Sequence, residues 1–248
     1  MHIVFLGFAC NNACVFCAQG SLREAEAGPP DVAAQIAAIT PGAIVAFTGG
    51  EPTIHDELPG WIKAADAAGA ARVVVQTNGR RLAYRAFTRA LREASPHLAL
   101  DIALQGATAA MHEYHTGALG SFEQTVRGAR QARAERIAVG VTTVVTRSNF
   151  RHLVEIARLA HALGAEAIHF ARAEPFGRAA AARDRVIPAR DMVLPHLTRA
   201  AAEAQRLGLA VVVGAREATS IFAGIGEIEA PLEPAPPAAR RTSLPVFG

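Results

Sequence analysis

Cys10, Cys14 and Cys17 fall within eight residues of one another, and the chain has no other cysteine. An odd, tightly bunched set of thiols argues for metal ligation over disulfides. Thiolates are soft ligands, and the string Cys10-Asn11-Asn12-Ala13-Cys14-Val15-Phe16-Cys17 puts three of them in one short loop. At this spacing they can hold three corners of a cubane iron–sulfur cluster and leave the fourth iron without a protein thiolate. An open coordination position is what separates a reactive metal centre from a closed structural one. Two blander readings stand beside this one: a structural zinc site completed by a histidine, and a cysteine group that binds nothing.

Further along, Phe47-Thr48-Gly49-Gly50-Glu51-Pro52-Thr53 combines two glycines, which permit close backbone approach to a ligand, with a carboxylate able to accept hydrogen bonds from an ammonium group. Gln76-Thr77-Asn78-Gly79 ends an apolar run and reads equally well as a plain turn. His112 and His115 have ordinary pKa values near neutrality and could move protons, although their spacing at a helix start suits packing or capping better.

These residues need a scaffold, and the chain alternates strand-like with helix-like segments, the pattern of a parallel α/β fold. Apolar runs at Ile3 to Phe8, Ile44 to Phe47, Arg72 to Gln76, Leu98 to Leu104, Ile137 to Val145 and Ala167 to Phe170 suit strands covered on both faces. Between them, Asp31 to Ile39, Leu58 to Ala68, Ala83 to Ala94, Phe122 to Ala134 and Asn149 to Leu163 carry helical spacing. Gly69 and Gly164 sit where a helix end needs a left-handed residue. A last helix is expected near Pro188 to Leu207 and a seventh strand at Leu209 to Val213. Such βα repeats curl into a barrel or open into a doubly wound sheet, and hydrophobic pattern does not choose between them. From about Ala215 periodicity is lost and Pro231 to Pro237 is proline-rich, so 215–248 is expected to be an irregular tail.

The formal charge of +3 comes almost entirely from arginine, Lys63 being the only lysine. The arginines are scattered rather than clustered, which argues against a nucleic-acid footprint. No run of about 18 apolar residues could span a membrane, and no signal peptide is apparent. A cytoplasmic, thiol-reducing setting is expected.

The C-x3-C-x-Phe-C string resembles the signature of the radical S-adenosylmethionine (SAM) superfamily, with Phe16 in the place of the aromatic that packs near the adenine. Glycines 49 and 50, Glu51 and Pro52 resemble the family's GGEP segment, which grips the methionyl amino group. The Asp101 to Phe122 region is similar to that of peptide maturases and molybdenum-cofactor enzymes. It departs from them in having Ala103 and Gln105 where serine and an acid or histidine are usual. Gln105 is then the candidate ribose contact, Thr143 a further SAM contact, and Arg172 a candidate partner of the SAM carboxylate.

The resemblance covers residues 1–214 and implies a partial (β/α)6 TIM-like barrel, an α/β fold with its site at the C-terminal strand ends. It implies a [4Fe-4S] cluster on Cys10, Cys14 and Cys17, SAM on the open iron, and an electron from reduced ferredoxin or flavodoxin. Methionine and a 5′-deoxyadenosyl radical would result, the radical taking hydrogen from a substrate. A minimal enzyme is expected, since only nine residues precede Cys10 and no cysteine remains for auxiliary clusters. A peptide or protein side chain is favoured slightly as substrate. A small metabolite, a glycyl-radical activase and a non-catalytic iron–sulfur or zinc protein are the alternatives.

Overall fold

The computed structural model describes residues 1–20, 22 and 30–214; the tail expected at 215–248 lies outside them. Seven strands form one parallel sheet: β1 (His2–Phe5), β2 (Ile44–Thr48), β3 (Arg72–Thr77), β4 (Leu98–Ala103), β5 (Ala138–Val145), β6 (Ala167–Arg172) and β7 (Ala210–Gly214). Each strand pairs with the next in sequence, so the order runs 1 to 7 without reversal. That order decides what the hydrophobic pattern left open. A doubly wound sheet reverses direction at a switch point, whereas repeated one-way crossovers curl the sheet toward a barrel. Among the described residues β1 and β7 are not paired, so the barrel is partial.

The crossovers are α1 (Val32–Ala37), α2 (Leu58–Ala67), α3 (Arg85–Ala94), α4 (Ala109–Thr116), α5 (Ser121–Ala134), α6 (Leu153–Ala162), α7 (Gly177–Ala181), α8 (Arg183–Val186) and α9 (Arg190–Arg206). Gly69 and Gly164 take positive φ directly after α2 and α6, as their positions require. The helix expected from Ala83 begins at Arg85, because residues 81–83 first form a 3₁₀ turn. The short helices α7 and α8 lie in a stretch for which the sequence pattern suggests no element. Among the described residues no helix is long and apolar enough to cross a membrane.

Strand residues alternate between two environments. Outward-facing Phe47, Val75, Leu100, Ile102, Val141, Ile168 and Phe170 join the helices in the main core, each large side chain contributing about 1.5–3 kcal/mol by leaving water. The inward face is different in kind. Ala46, Ala99, Ala103, Ala138, Gly140, Ala167 and Ala210 lie on it, and Ile44, Val74 and Val212 pack with several of these alanines in a small cluster of their own, so the barrel is only partly filled by its own side chains. A cavity of about 300 Å³ opens there, from Ile3 and Ala46 below to the cysteine loop above.

Candidate active site

The loop after β1 carries all three cysteines, and all three line the cavity. None is in a disulfide. Gly50 N–H donates to Gly7 O (2.7 Å) and Glu51 N–H to Ala9 O (2.8 Å), so the loop after β2 is laid directly on the cysteine loop. Only glycine permits this approach. A Cβ on Gly50 would stand 1.9 Å from Ala9 O, and one on Gly49, at φ +133°, 2.5 Å from Gly7 O. The other flank rests on the end of α4, where carbonyls lack helical partners: Ala13 N–H donates to Thr116 O (2.7 Å) and Val15 N–H to His115 O (3.0 Å). At Cys17, the carbonyl accepts from Arg178 N–H at 3.0 Å. Asn12 N–H points at Cys10 Sγ (3.4 Å), the kind of contact that tunes a sulfur-bound metal.

Glu51 is buried and fully engaged by its own chain. Its Oε1 accepts from Thr53 N (3.0 Å), Thr53 Oγ1 (2.6 Å) and Thr77 Oγ1 (2.6 Å), and its Oε2 from Asn78 N (2.6 Å). Burial pushes its carboxyl pKa up, and these bonds pull it back. The carboxylate expected to meet an ammonium group is thus first a bracket between two turns, although it also borders the cavity. Pro52 opens the 3₁₀ turn behind it and lies outside the cavity lining.

From this bracket the hydrogen bonds run back to the cysteine loop. Asn78 Nδ2 donates to Asn11 Oδ1 (2.6 Å). Arg80 donates to Asn11 O, to Asn12 Oδ1 (2.8 Å) and to Gln124 Oε1 (2.7 Å). Asn11 and Asn12 lie inside the cysteine string and Arg80 directly after the Asn78-Gly79 turn, with no further sequence signal of their own.

On the far wall, Gln105 is buried and lines the cavity; its Oε1 accepts from Val144 N–H (2.9 Å), which fixes the amide orientation and leaves a donor for a ligand. Phe16 also lines the cavity and packs with Val144, Ala171 and Ala173. Thr143 does not line it. It donates to Leu104 O (2.7 Å) on the outer face, and strand alternation gives the cavity Thr142 and Val144 instead. Arg172 is likewise turned away, its side chain 73% exposed and paired with Glu174 at 3.2 Å.

Neither histidine of α4 reaches the cavity. His115 donates from Nδ1 to Met111 O (2.7 Å), so Nε2 accepts from Thr146 and Ser148. Burial lowers its pKa. His112 accepts from Gln105 N–H (3.2 Å), and burial, followed by the charges of His115 and Arg80, pushes its pKa down to about 4. Both are neutral structural groups. Four polar residues face inward from apolar strands: Thr142, which the resemblance brought forward together with Thr143; Gln76 and Asp101, which head recognised strings without a site role of their own; and His169, which carried no signal. Thr142 Oγ1 donates to Asp101 Oδ1 (2.7 Å) and Thr48 Oγ1 to Gln76 Oε1 (2.7 Å). A carboxylate in a strand buried on both faces was the signal for Asp101.

The Radical SAM superfamily matches residues 4–160. The chain belongs to that superfamily. An AdoMet-dependent heme synthase of Nitratidesulfovibrio vulgaris is 32% identical over 186 residues, covering 73% of this chain and 50% of the relative. The mycofactocin maturase MftC of Mycobacterium tuberculosis is 33% identical over 180 residues, covering 70% and 44%. The chain thus spans about half the length of these curated relatives. Among solved structures, anSMEcpe with bound AdoMet and Kp18Cys peptide superposes with TM-score 0.66 at 17% identity, covering 92% of this chain and 68% of that one. Streptococcus suis SuiB superposes with TM-score 0.65 at 15% identity, covering 85% and 48%.

Membership of the radical SAM superfamily implies an iron–sulfur cluster and SAM, and the residues fit both. Three soft thiolates share one cavity wall. Among the described residues no three Cys, His, Asp or Glu side chains converge as ligands of a single ion. Thiolates at the corners of a cubane bind different irons and need not meet at one point.

Proposed function

We propose that Cys10, Cys14 and Cys17 hold a [4Fe-4S] cluster at which SAM is cleaved reductively to begin hydrogen abstraction from a peptide or protein side chain. The observation that carries the reading is that all three thiolates of the chain border one cavity, shared with Gly49, Gly50, Phe16 and Gln105. Bound there, such a cluster supplies the electron that splits SAM into methionine and a 5′-deoxyadenosyl radical.

The chain's own groups prepare the site. Glycines 49 and 50 bring backbone to the cavity beside the cysteine loop, Gln105 offers an amide donor, and Phe16 gives an apolar face to a heterocycle. The small inward residues leave space below for substrate, and Asp101, Thr142, Gln76 and His169 give that space polar partners. Enclosure by the barrel limits stray hydrogen donors and water. Arg172 lies too far into solvent to be retained as the carboxylate partner. The cluster and its reduced thiols suit a cytoplasmic setting with reduced ferredoxin or flavodoxin as donor.

A peptide substrate is supported by relatives named mycofactocin maturase and PqqA peptide cyclase, and by the fold shared with SuiB bound to precursor peptide SuiA. A small-metabolite substrate is the second reading, supported by the relatives named heme synthase. Electron paramagnetic resonance of the dithionite-reduced, anaerobically reconstituted protein tests the shared core. A cubane signal that changes on adding SAM is expected; a signal indifferent to SAM would contradict an open iron.

A further inference from the structure

Cys14, Phe16 and Cys17 face the main cavity, but Val15 between them does not. It lines a separate groove of about 220 Å³ together with Tyr114, Ala182 and Val186, rimmed by Arg178 and Arg185. The two cavities share no lining residue, and the cysteine loop contributes a wall to each. The groove is tied to that wall on both sides. Val15 N–H donates to His115 O, next to Tyr114, and Arg178 N–H donates to Cys17 O. The stem of Arg178 packs over Gly20, leaving no room for a Cβ there.

The groove's floor is apolar and its surroundings are cationic. Arg183 and Arg185 of α8 are exposed, as is Arg147, whose N–H donates to Val186 O (2.9 Å). Asp184 and Glu113 are the acids on the same elements. Tyr114 is 47% exposed, a large amphipathic ring at the edge.

We infer that this groove docks an acidic one-electron carrier protein that reduces the cluster through the cysteine loop. The inference rests on the reading of the three cysteines given above. A macromolecular donor cannot enter the main cavity, yet this groove reaches Val15, which is adjacent to Cys14 and two residues from Cys17. Transient electron-transfer encounters use small interfaces, below about 1,200 Å², and an arginine rim steers an acidic partner mainly through association rate. In the transfer the carrier is oxidised by one electron and the cluster reduced by one, with no bond formed or broken.

The test measures the Kd of flavodoxin for the full chain by fluorescence titration, and 5′-deoxyadenosine formation with two reductants, dithionite and flavodoxin hydroquinone; Kd and KM are expected to move together. The variants are Arg185→Glu and the double Arg183→Glu/Arg185→Glu, with Arg89→Glu as control on α3, which packs on α2 and α5. The double reversal is expected to raise the KM for flavodoxin about tenfold and to flatten its dependence on salt. Dithionite-driven rates should stay within about twofold, and the control should match the unaltered protein. An unchanged flavodoxin KM overturns the proposal. So does a parallel loss with dithionite, which would make these arginines supports of the loop, and so does an unaltered protein that turns over with dithionite but not with flavodoxin. No turnover with dithionite would instead sink the cysteine-site reading and this proposal with it.

Discussion

A carboxylate shut away from water persists only where donors surround it, and Glu51 has four, drawn from Thr53, Thr77 and Asn78. Changing it to glutamine puts an amide N–H where a donor already points, so Glu51→Gln should cost on the order of 2–3 kcal/mol, read from urea unfolding under anaerobic conditions. Gly50→Ala should cost about 3 kcal/mol or more, since its Cβ would collide with Ala9 O, whereas Gly60→Ala, with nothing within 4 Å, should be neutral or slightly stabilising. His112 adds a pH dependence. Its folded pKa of about 4 lies below the ordinary 6.5, so the unfolded chain binds the proton more readily. Stability is full above pH 6.5 and falls as pH drops from there toward 4, by about 3 kcal/mol from this group. His115 adds in the same direction. Unfolding midpoints from pH 7.5 to 4.5 should show this slope, and His112→Gln should flatten it; an equal slope in the variant would contradict the assignment.

At the scale of elements, the turn after β3 does for the cysteine loop what no residue within that loop does. Arg80 spans from Gln124 of α5 to Asn11 and Asn12, so Arg80→Ala should lower the iron bound on reconstitution several-fold. Arg80→Lys should not restore it, because a single ammonium does not reproduce a forked guanidinium. Iron and sulfide assay checks both. The sequence made Thr77-Asn78-Gly79 visible as a turn but not as a clamp, since Asn78 meets Glu51, Thr125 and Asn11 at separations of 27, 47 and 67 residues, and Arg80 meets Gln124, Asn12 and Asn11 at 44, 68 and 69. Thr142 and Thr143 show a related limit. Both are good strand residues, and only the register of β5 against β4 and β6 decides which faces the cavity. The cysteines and both glycines were legible because their chemistry is local, requiring adjacent thiolates and a backbone without Cβ. Strand and helix positions were legible for the same reason, while α7 and α8 are too short to carry a periodic signal.

For the molecule as a whole, strand order turns seven local elements into a single mouth. Every βα loop of a parallel barrel opens at the same end, so residues as distant as Cys10 and Val144 border one cavity. The inward run of alanines and Gly140 keeps that cavity open, while most of the large apolar side chains sit between sheet and helices, with Ile44, Val74 and Val212 packed inside. The measurement that bears most directly on this arrangement is the yield of 5′-deoxyadenosine when the anaerobically reconstituted protein is mixed with SAM and dithionite. Stoichiometric or greater formation is expected, abolished together with cluster binding in Cys14→Ala. Absence of the product from protein carrying a full complement of iron and sulfide, or its undiminished formation by Cys14→Ala, would contradict the account.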